Sequence, residues 1–225
     1  MTILDSGVIK QAAYGLGADL CGIAPIERFS GAPEGFRPTD VFPECRSVVV
    51  IAKRFLKGTL YAKSTIPYTY VRDATASVIN QAAIRLAQKI EDMGVLAVTI
   101  WEGEYDRNTD KFRGLISLKH AAELAGLGRI GKNTLLVNEK YGNMIWLSAV
   151  LTSAVIDPDP PAEYETCPKN CRLCIDSCPA KALDGVSIDQ WACLEYAYSG
   201  VDSGEFRVKC FKCRKICPNA LGLNR

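Results

Sequence analysis

The chain has 225 residues, 48% of them hydrophobic, with 27 lysines and arginines against 25 aspartates and glutamates. A near-neutral balance without a long basic run argues against a nucleic-acid-binding surface, and the apolar content suits a packed core rather than a disordered chain. The length allows one large domain, or one domain with a small module.

The first ten residues show no basic-plus-apolar leader, and the most apolar later stretch, residues 144–156, is too short to cross a bilayer as a helix. The expectation is a cytoplasmic protein without a membrane partner. In that compartment cysteines serve metals or redox chemistry more often than disulfides.

In chain order, residues 3–16 read as a helix, 18–24 as a short strand, and the β-branched run 47–52 as a buried strand. Residues 71–93 form the clearest helical pattern, with Val71, Ala74, Val78, Ala82, Leu86 and Ile90 three or four apart and Gly94 as a stop. A strand over 95–101 and a short helix over 117–125 follow, the latter ended by glycines. Residues 135–137 and 144–155 read as a hairpin around 139–143. The sequence Asp157-Pro158-Asp159-Pro160-Pro161 breaks helix and sheet and reads as a stiff linker. The expected organisation is thus an α/β (or α+β) domain over 1–156 and a small module over 162–225.

Eight of the ten cysteines fall in that module. The first run is Cys167-x3-Cys171-x2-Cys174-x3-Cys178-Pro179; the second is Cys193, then Cys210-x2-Cys213-x3-Cys217-Pro218. Bacterial two-cluster ferredoxins use C-x2-C-x2-C-x3-C-P runs, in which the fourth cysteine ligates the other cluster. Applied here, one [4Fe–4S] cluster takes Cys167, Cys171, Cys174 and Cys217, and the other takes Cys178, Cys193, Cys210 and Cys213. A four-thiolate zinc site has no need of the C-x3-C-P tail. The pattern departs from the ferredoxin run at Cys167, where three residues, starting with Pro168, precede the next cysteine. Cys21 and Cys45 read as small buried hydrophobes.

Gly126-Leu127-Gly128-Arg129-Ile130-Gly131 matches G-x-G-x-x-G, but it follows a helix and precedes a strand, the reverse of a dinucleotide site. These glycines are expected to end the helix or to let the backbone approach a bulky ligand. His120 is the single histidine; beside Lys119 and before the glycine loop it is either structural or turned to a cofactor. Glu102, Glu104, Asp106 and Asp110 read as solvated loop residues. No nucleophile–histidine arrangement can be assembled.

The stretch from His120 through Ala-Gly-Leu-Gly-Arg-Ile-Gly-Lys-Asn-Thr-Leu-Leu-Val to Asn138, with Tyr141-Gly142 and the strand after it, resembles the epoxyqueuosine reductase family. So does Cys174-Ile-Asp-Ser-Cys-Pro-Ala-Lys-Ala-Leu183 with the later cysteines. The resemblance covers roughly the last half of the chain. It implies a nitroreductase-like α/β domain, related to that of reductive dehalogenases, followed by a ferredoxin-like two-cluster module. It also implies cobalamin at the domain interface. By position in the family, Tyr70, Arg72 and Asp73, in a loop opening a long helix, and Lys119, His120, Lys132 and Asn133 are expected beside that cofactor. Two departures set the chain apart from true tRNA epoxyqueuosine reductases. Their proton-donating aspartate falls near Phe112, with Asp110 the nearest acid, and the C-terminal extension that helps engage tRNA is lacking.

Three functions follow as expectations. The first is a corrinoid-dependent iron–sulfur reductase of a small molecule, fed by a ferredoxin- or flavodoxin-type donor. The second is an electron carrier or reductive activator for a partner protein. In the third the clusters only staple the tail, although one metal site would fold so small a module.

Overall fold

In the structure, a computed structural model that describes residues 2–102, 114–198 and 207–223, the chain begins with β1 (Ile3–Leu4), α1 (Ser6–Gly15), β2 (Leu20–Pro25), α2 (Pro38–Val41) and β3 (Ser47–Arg54). It continues through α3 (Ile66–Glu91), β4 (Ala97–Trp101), α4 (Leu118–Leu124), β5 (Arg129–Ile130), β6 (Leu136–Val137), β7 (Ile145–Thr152) and β8 (Val155–Ile156). Three short helices close it: α5 (Leu173–Asp176), α6 (Gln190–Tyr198) and α7 (Lys212–Lys215). The mixed α/β class is as expected. Glu104, Asp106, Asp110 and Phe112 lie outside the described residues.

The chain divides into two compact units, each gathered from three segments. The first is Met1–Lys53, Ala76–Gly128 and Trp146–Glu163; the second is Arg54–Thr75, Arg129–Ile145 and Tyr164–Arg225. The units therefore interleave along the sequence, where the proline run had suggested a single cut.

The first unit is built on a four-stranded sheet in the order β2-β3-β7-β4. β2 runs antiparallel to β3, from Leu20 opposite Ala52 to Pro25 opposite Ser47, and β4 runs antiparallel to β7, from Ala97 opposite Thr152 to Trp101 opposite Ser148. The hairpin expected between 135–137 and 144–155 does not form. β7 is almost wholly buried and lies between two neighbours, as a continuous apolar strand requires, while Leu136 and Val137 pair with Ile130 and Arg129. Only the turn survives, with Asn138 and Gly142 exchanging two backbone hydrogen bonds of 2.8 Å.

The core joins Ile9 and Ala13 of α1, Ile23, Val49, Ile51, Val150 and Ile156 of the strands, and Ile79, Leu86 and Ile90 of α3. α1 starts at Ser6 because Asp5 caps it, accepting from the Val8 N–H at 2.9 Å, and Ile3–Leu4 pair instead with β8. α3 begins five residues before the expected start, since a proline such as Pro67 is tolerated in a first turn. Its inward stripe also differs at that end: Thr75 and Ile79 are buried, Ala74 and Val78 exposed.

The proline run is docked. Asp159 pairs with Ile23 through N–H to carbonyl at 2.9 Å and accepts the Ile23 N–H on its carboxylate at 2.9 Å. Lys10 forms an ion pair with the same carboxylate, and Arg28 Nη1 bridges the carbonyls of Leu124 (2.6 Å) and Asp159 (2.7 Å). Residues 157–161 are thus part of the first unit's surface.

The second unit has little regular structure. β5 and β6 are two residues each, α5 and α7 four each. An aromatic stack runs Phe55–Tyr68–Phe211, with ring centroids 5.3 and 3.9 Å apart, and the Arg214 guanidinium lies 5.4 Å from the Phe55 ring. Asn143 N–H donates to the Ala220 carbonyl (3.1 Å) and Leu223 N–H to that of Glu139 (2.9 Å), fastening the tail. Among the described residues no helix is long and apolar enough to cross a membrane.

Candidate metal centre

None of the ten cysteines is in a disulfide. Cys167, Cys171, Cys174 and Cys217 line one pocket of the second unit, walled by Asn133, Val137, Thr166, Leu173, Pro168 and Pro218. Local structure explains how they converge. Pro168 starts a turn in which the Cys171 N–H meets its carbonyl at 2.9 Å, α5 then carries Cys174, and Cys217 follows α7 directly.

Electrostatics groups the eight thiols in the same way. Burial pushes the Cys217 thiol up to about 11, opposed by a backbone hydrogen bond from Asn219 and reinforced by Cys167, Cys174 and Cys171. Burial likewise raises Cys174, with Cys167 and Cys171 adding to it. Cys213 is raised to about 11, again chiefly by burial; the Arg214 charge opposes, and Cys193, Cys210 and Cys178 reinforce. Cys167, Cys171, Cys174 and Cys217 thus share one pocket, and the thiols whose charges act on Cys213 are those of Cys193, Cys210 and Cys178. Cys167, where the spacing is unusual, sits with its quartet.

Four thiols in each set, with the C-x3-C-P tails, are the donor chemistry of an iron–sulfur cluster; among the described residues no three His, Cys, Asp or Glu side chains are gathered closely enough to hold a single metal ion. Two sulfurs also accept backbone N–H groups, Cys167 from Lys132 and Cys178 from Ala182, each at 3.4 Å. Such bonds are one of the means by which proteins tune cluster potentials.

The glycine loop ends α4. Gly126, at φ 76°, donates to the Glu123 carbonyl and Leu127 to that of Ala122, the paired bonds of a Schellman cap. A nucleotide-binding turn is absent from this stretch, as expected from its order of elements.

The residues expected beside a corrinoid divide. Tyr70, Arg72 and Asp73 stand in the first turns of α3 itself, not in a loop ahead of it. Tyr70 is 70% exposed and shares a face with exposed Asp73, three residues on. Arg72 Nη1 pairs with Asp73 at 2.8 Å, and its guanidinium lies 5.8 Å from the Tyr198 ring. Lys119 and His120 belong to the first unit, in the first turn of α4. There His120 Nδ1 is 2.7 Å from Ser117 Oγ, and desolvation, then the Lys119 charge, lowers the imidazole's affinity for a proton. Lys132 and Asn133 direct their polar groups to backbone carbonyls of the cysteine loops. Lys132 Nζ donates to the carbonyls of Lys169 (3.1 Å) and Cys171 (3.0 Å), and Asn133 Nδ2 to that of Cys213 (3.3 Å).

Sequence reasoning missed two further supports, Thr166 Oγ1 donating to the Ile130 carbonyl at 3.3 Å and Asn219 Nδ2 to that of Thr166 at 2.8 Å. Only their adjacency to Cys167 and Pro218 signalled them. Cys21 and Cys45 are buried. Desolvation raises the first to about 12, against the nearby Lys10 charge, and the second to about 11, against a Thr152 backbone hydrogen bond and Arg46.

No protein-family model matches the chain. Among curated relatives it is 24% identical to the epoxyqueuosine reductase of Staphylococcus aureus, across 98% of this chain and 67% of that protein. It is 37% identical to the epoxyqueuosine reductase of Lactococcus garvieae, across 46% of this chain and 32% of that one. Among solved structures it resembles epoxyqueuosine reductase bound to a tRNA-Tyr stem loop, with a TM-score of 0.70 and 18% identity over 95% of this chain and 64% of the other. A catabolic reductive dehalogenase gives a TM-score of 0.71 and 21% identity over 93% of this chain and 31% of that enzyme. The chain therefore spans between about a third and two thirds of the length of these relatives. The chain is thus similar in sequence and fold to the epoxyqueuosine reductases, and it shares its fold with the reductive dehalogenases.

Proposed function

We propose that the chain is an iron–sulfur oxidoreductase that passes electrons one at a time through two [4Fe–4S] clusters to a corrinoid, where a small molecule is reduced. The supporting observation is the sorting of the thiols: Cys178 of the first run joins Cys193, Cys210 and Cys213, and Cys217 of the second joins Cys167, Cys171 and Cys174. Each exchange spans four residues, from Cys174 to Cys178 and from Cys213 to Cys217. Even a fully extended chain of that length covers only about 14 Å, so the two centres are held within range of each other.

When bound, the clusters supply one-electron transfer and the corrinoid a metal centre for the reduction. The chain's own residues hold and shield. Val137, Leu173, Pro168 and Pro218 line the pocket of the first quartet, and the N–H groups of Lys132 and Ala182 would spread charge from two sulfurs. The corrinoid follows from kinship with the epoxyqueuosine reductases and from the fold shared with a reductive dehalogenase whose dehalogenation is B12-dependent. Tyr70, Arg72 and Asp73 would hold it on the second unit. Electrons would come from a ferredoxin- or flavodoxin-type protein.

A second reading, a carrier that reduces a partner protein, gains from the engagement of Lys132 and Asn133 with the cysteine loops. Anaerobic reconstitution separates the possibilities. Two clusters together with a spectral change on adding cobalamin support the reductase; two clusters without cobalamin binding leave the carrier. A preparation that assembles no cluster sinks both.

A further inference from the structure

The turn from β5 to β6 is more tightly determined than a two-residue ladder needs. Gly131 N–H donates to the Leu135 carbonyl at 2.9 Å, Thr134 N–H to that of Gly131 at 2.8 Å, and the Asn133 side chain accepts from Leu135 N–H at 3.2 Å. Thr134 sits at φ 57°, a rare conformation for a β-branched residue, and its buried hydroxyl has no hydrogen-bond partner among the described residues. Strain of that kind persists where the surroundings over-determine the backbone, and it gathers at functional sites.

What the turn fixes is Lys132. Its N–H meets Cys167 Sγ, and its ammonium is anchored on the carbonyls of Lys169 and Cys171. A methyl group on Gly131 would crowd Asn133 Oδ1 at 3.2 Å and Val137 at 3.3 Å and meet Cys167 Sγ in ordinary contact at 3.5 Å, so the backbone here runs close to the cysteine loop. Asn133, the next residue, reaches the Cys213 carbonyl at 3.3 Å, so one turn braces loops of both quartets.

We propose that Lys132 is a positioning residue that raises the reduction potential of the cluster at Cys167, Cys171, Cys174 and Cys217 relative to the other. On reduction that cluster gains one electron from the reduced donor protein, which loses one, and no bond changes. The added negative charge is stabilised by a cation held beside the cysteine loop and by an N–H on one of its sulfurs. The second quartet has a different cation, Arg214, which is buried next to Cys213. The two potentials can therefore be set independently.

The inference rests on the two-cluster reading, and its test is chosen to fail separately. The full chain, as wild type, K132Q, K132M and K132R, is reconstituted anaerobically, assayed for iron and titrated with redox dyes under electron paramagnetic resonance. A wild type without two clusters sinks the functional reading itself. With two clusters present, K132Q and K132M are expected to keep their iron and to lower one midpoint only. At the wild-type midpoint that cluster's reduced-to-oxidised ratio falls about tenfold, equivalent to 59 mV for one electron, and K132R restores most of it. Unchanged midpoints, equal shifts of both clusters, or a K132R as displaced as K132Q overturn the proposal. So does loss of iron from both neutral variants with retention in K132R, which would make Lys132 a structural brace alone.

Discussion

The four-stranded sheet of the first unit carries runs of fully buried aliphatic residues, Val48 to Ala52 on β3 and Ala149 to Leu151 on β7, and packs Val49, Ile51 and Val150 of these runs against Ile79, Leu86 and Ile90 of a long helix. In the second unit the cysteine loops are held by helices of four residues, single side-chain bonds to carbonyls and one aromatic stack. Hydrocarbon burial is additive and diffuse, at roughly 25 cal/mol per Å², so the first unit can lose any one contact and keep its shape. A loop fixed by a few donors and eight thiols depends on whatever those thiols bind. One chain thus contains two different answers to the entropy of ordering a backbone.

The sharpest way to break that contrast is to remove the metal. Anaerobic chelation of iron should collapse hydrogen-exchange protection over residues 207–223 to that of an unfolded chain, while the amides of β3 and β7 keep theirs. Equal loss in both units would mean that they are not energetically distinct. Next comes the crossed ligand scheme. C178S and C217S should each drop the iron content from about eight to about four atoms, with a different cluster lost in each. C21S and C45S should leave it unchanged, because those thiols lie in the hydrocarbon-held unit. In the opposite direction, Leu86→Ala empties part of that unit's core and should cost about 2–5 kcal/mol in denaturant titration, with the iron content untouched.

Which parts of this were legible in the sequence follows from the range of the forces involved. Thiol spacing is local, so the C-x2-C and C-x3-C-P runs can be read as two quartets without knowledge of the fold. The end of α4 was equally local, since Gly126 needs only its own positive φ and two carbonyls behind it. The partner of β7 was not local. A continuous apolar strand announces that it is buried on both faces, but not that its neighbours are β3 and β4, some 50 to 100 residues away. Lys132 and Asn133 show the same limit at the site: their motif marked them as important, while the carbonyls they bond, on Cys171 and Cys213, are visible only once the chain is folded.

The smallest effect separates the units by pH. In the first unit Cys21 titrates near 12 against an ordinary 9.0, and Cys45 near 11, because burial disfavours the thiolate. Below pH 9 both thiols are neutral whether the protein is folded or not, and they contribute no pH dependence. Above it the unfolded chain releases protons that the folded one retains. Stability is then lost as pH rises, by about 1.4 kcal/mol per pH unit for each thiol, until the folded pKa is reached. The expected slope from these groups is therefore steepest between pH 9 and 11, where both contribute, and shallower from 11 to 12, where Cys21 remains. Urea titrations followed by the fluorescence of Trp101 and Trp146 in a W191F background report the first unit. There C21A should differ little from its parent at pH 7 and should flatten the alkaline slope by one thiol's share, with C45A removing the other. Parallel slopes in all three proteins would mean that both thiols ionise freely in the folded state, and that the first unit is less well packed than its buried strands imply.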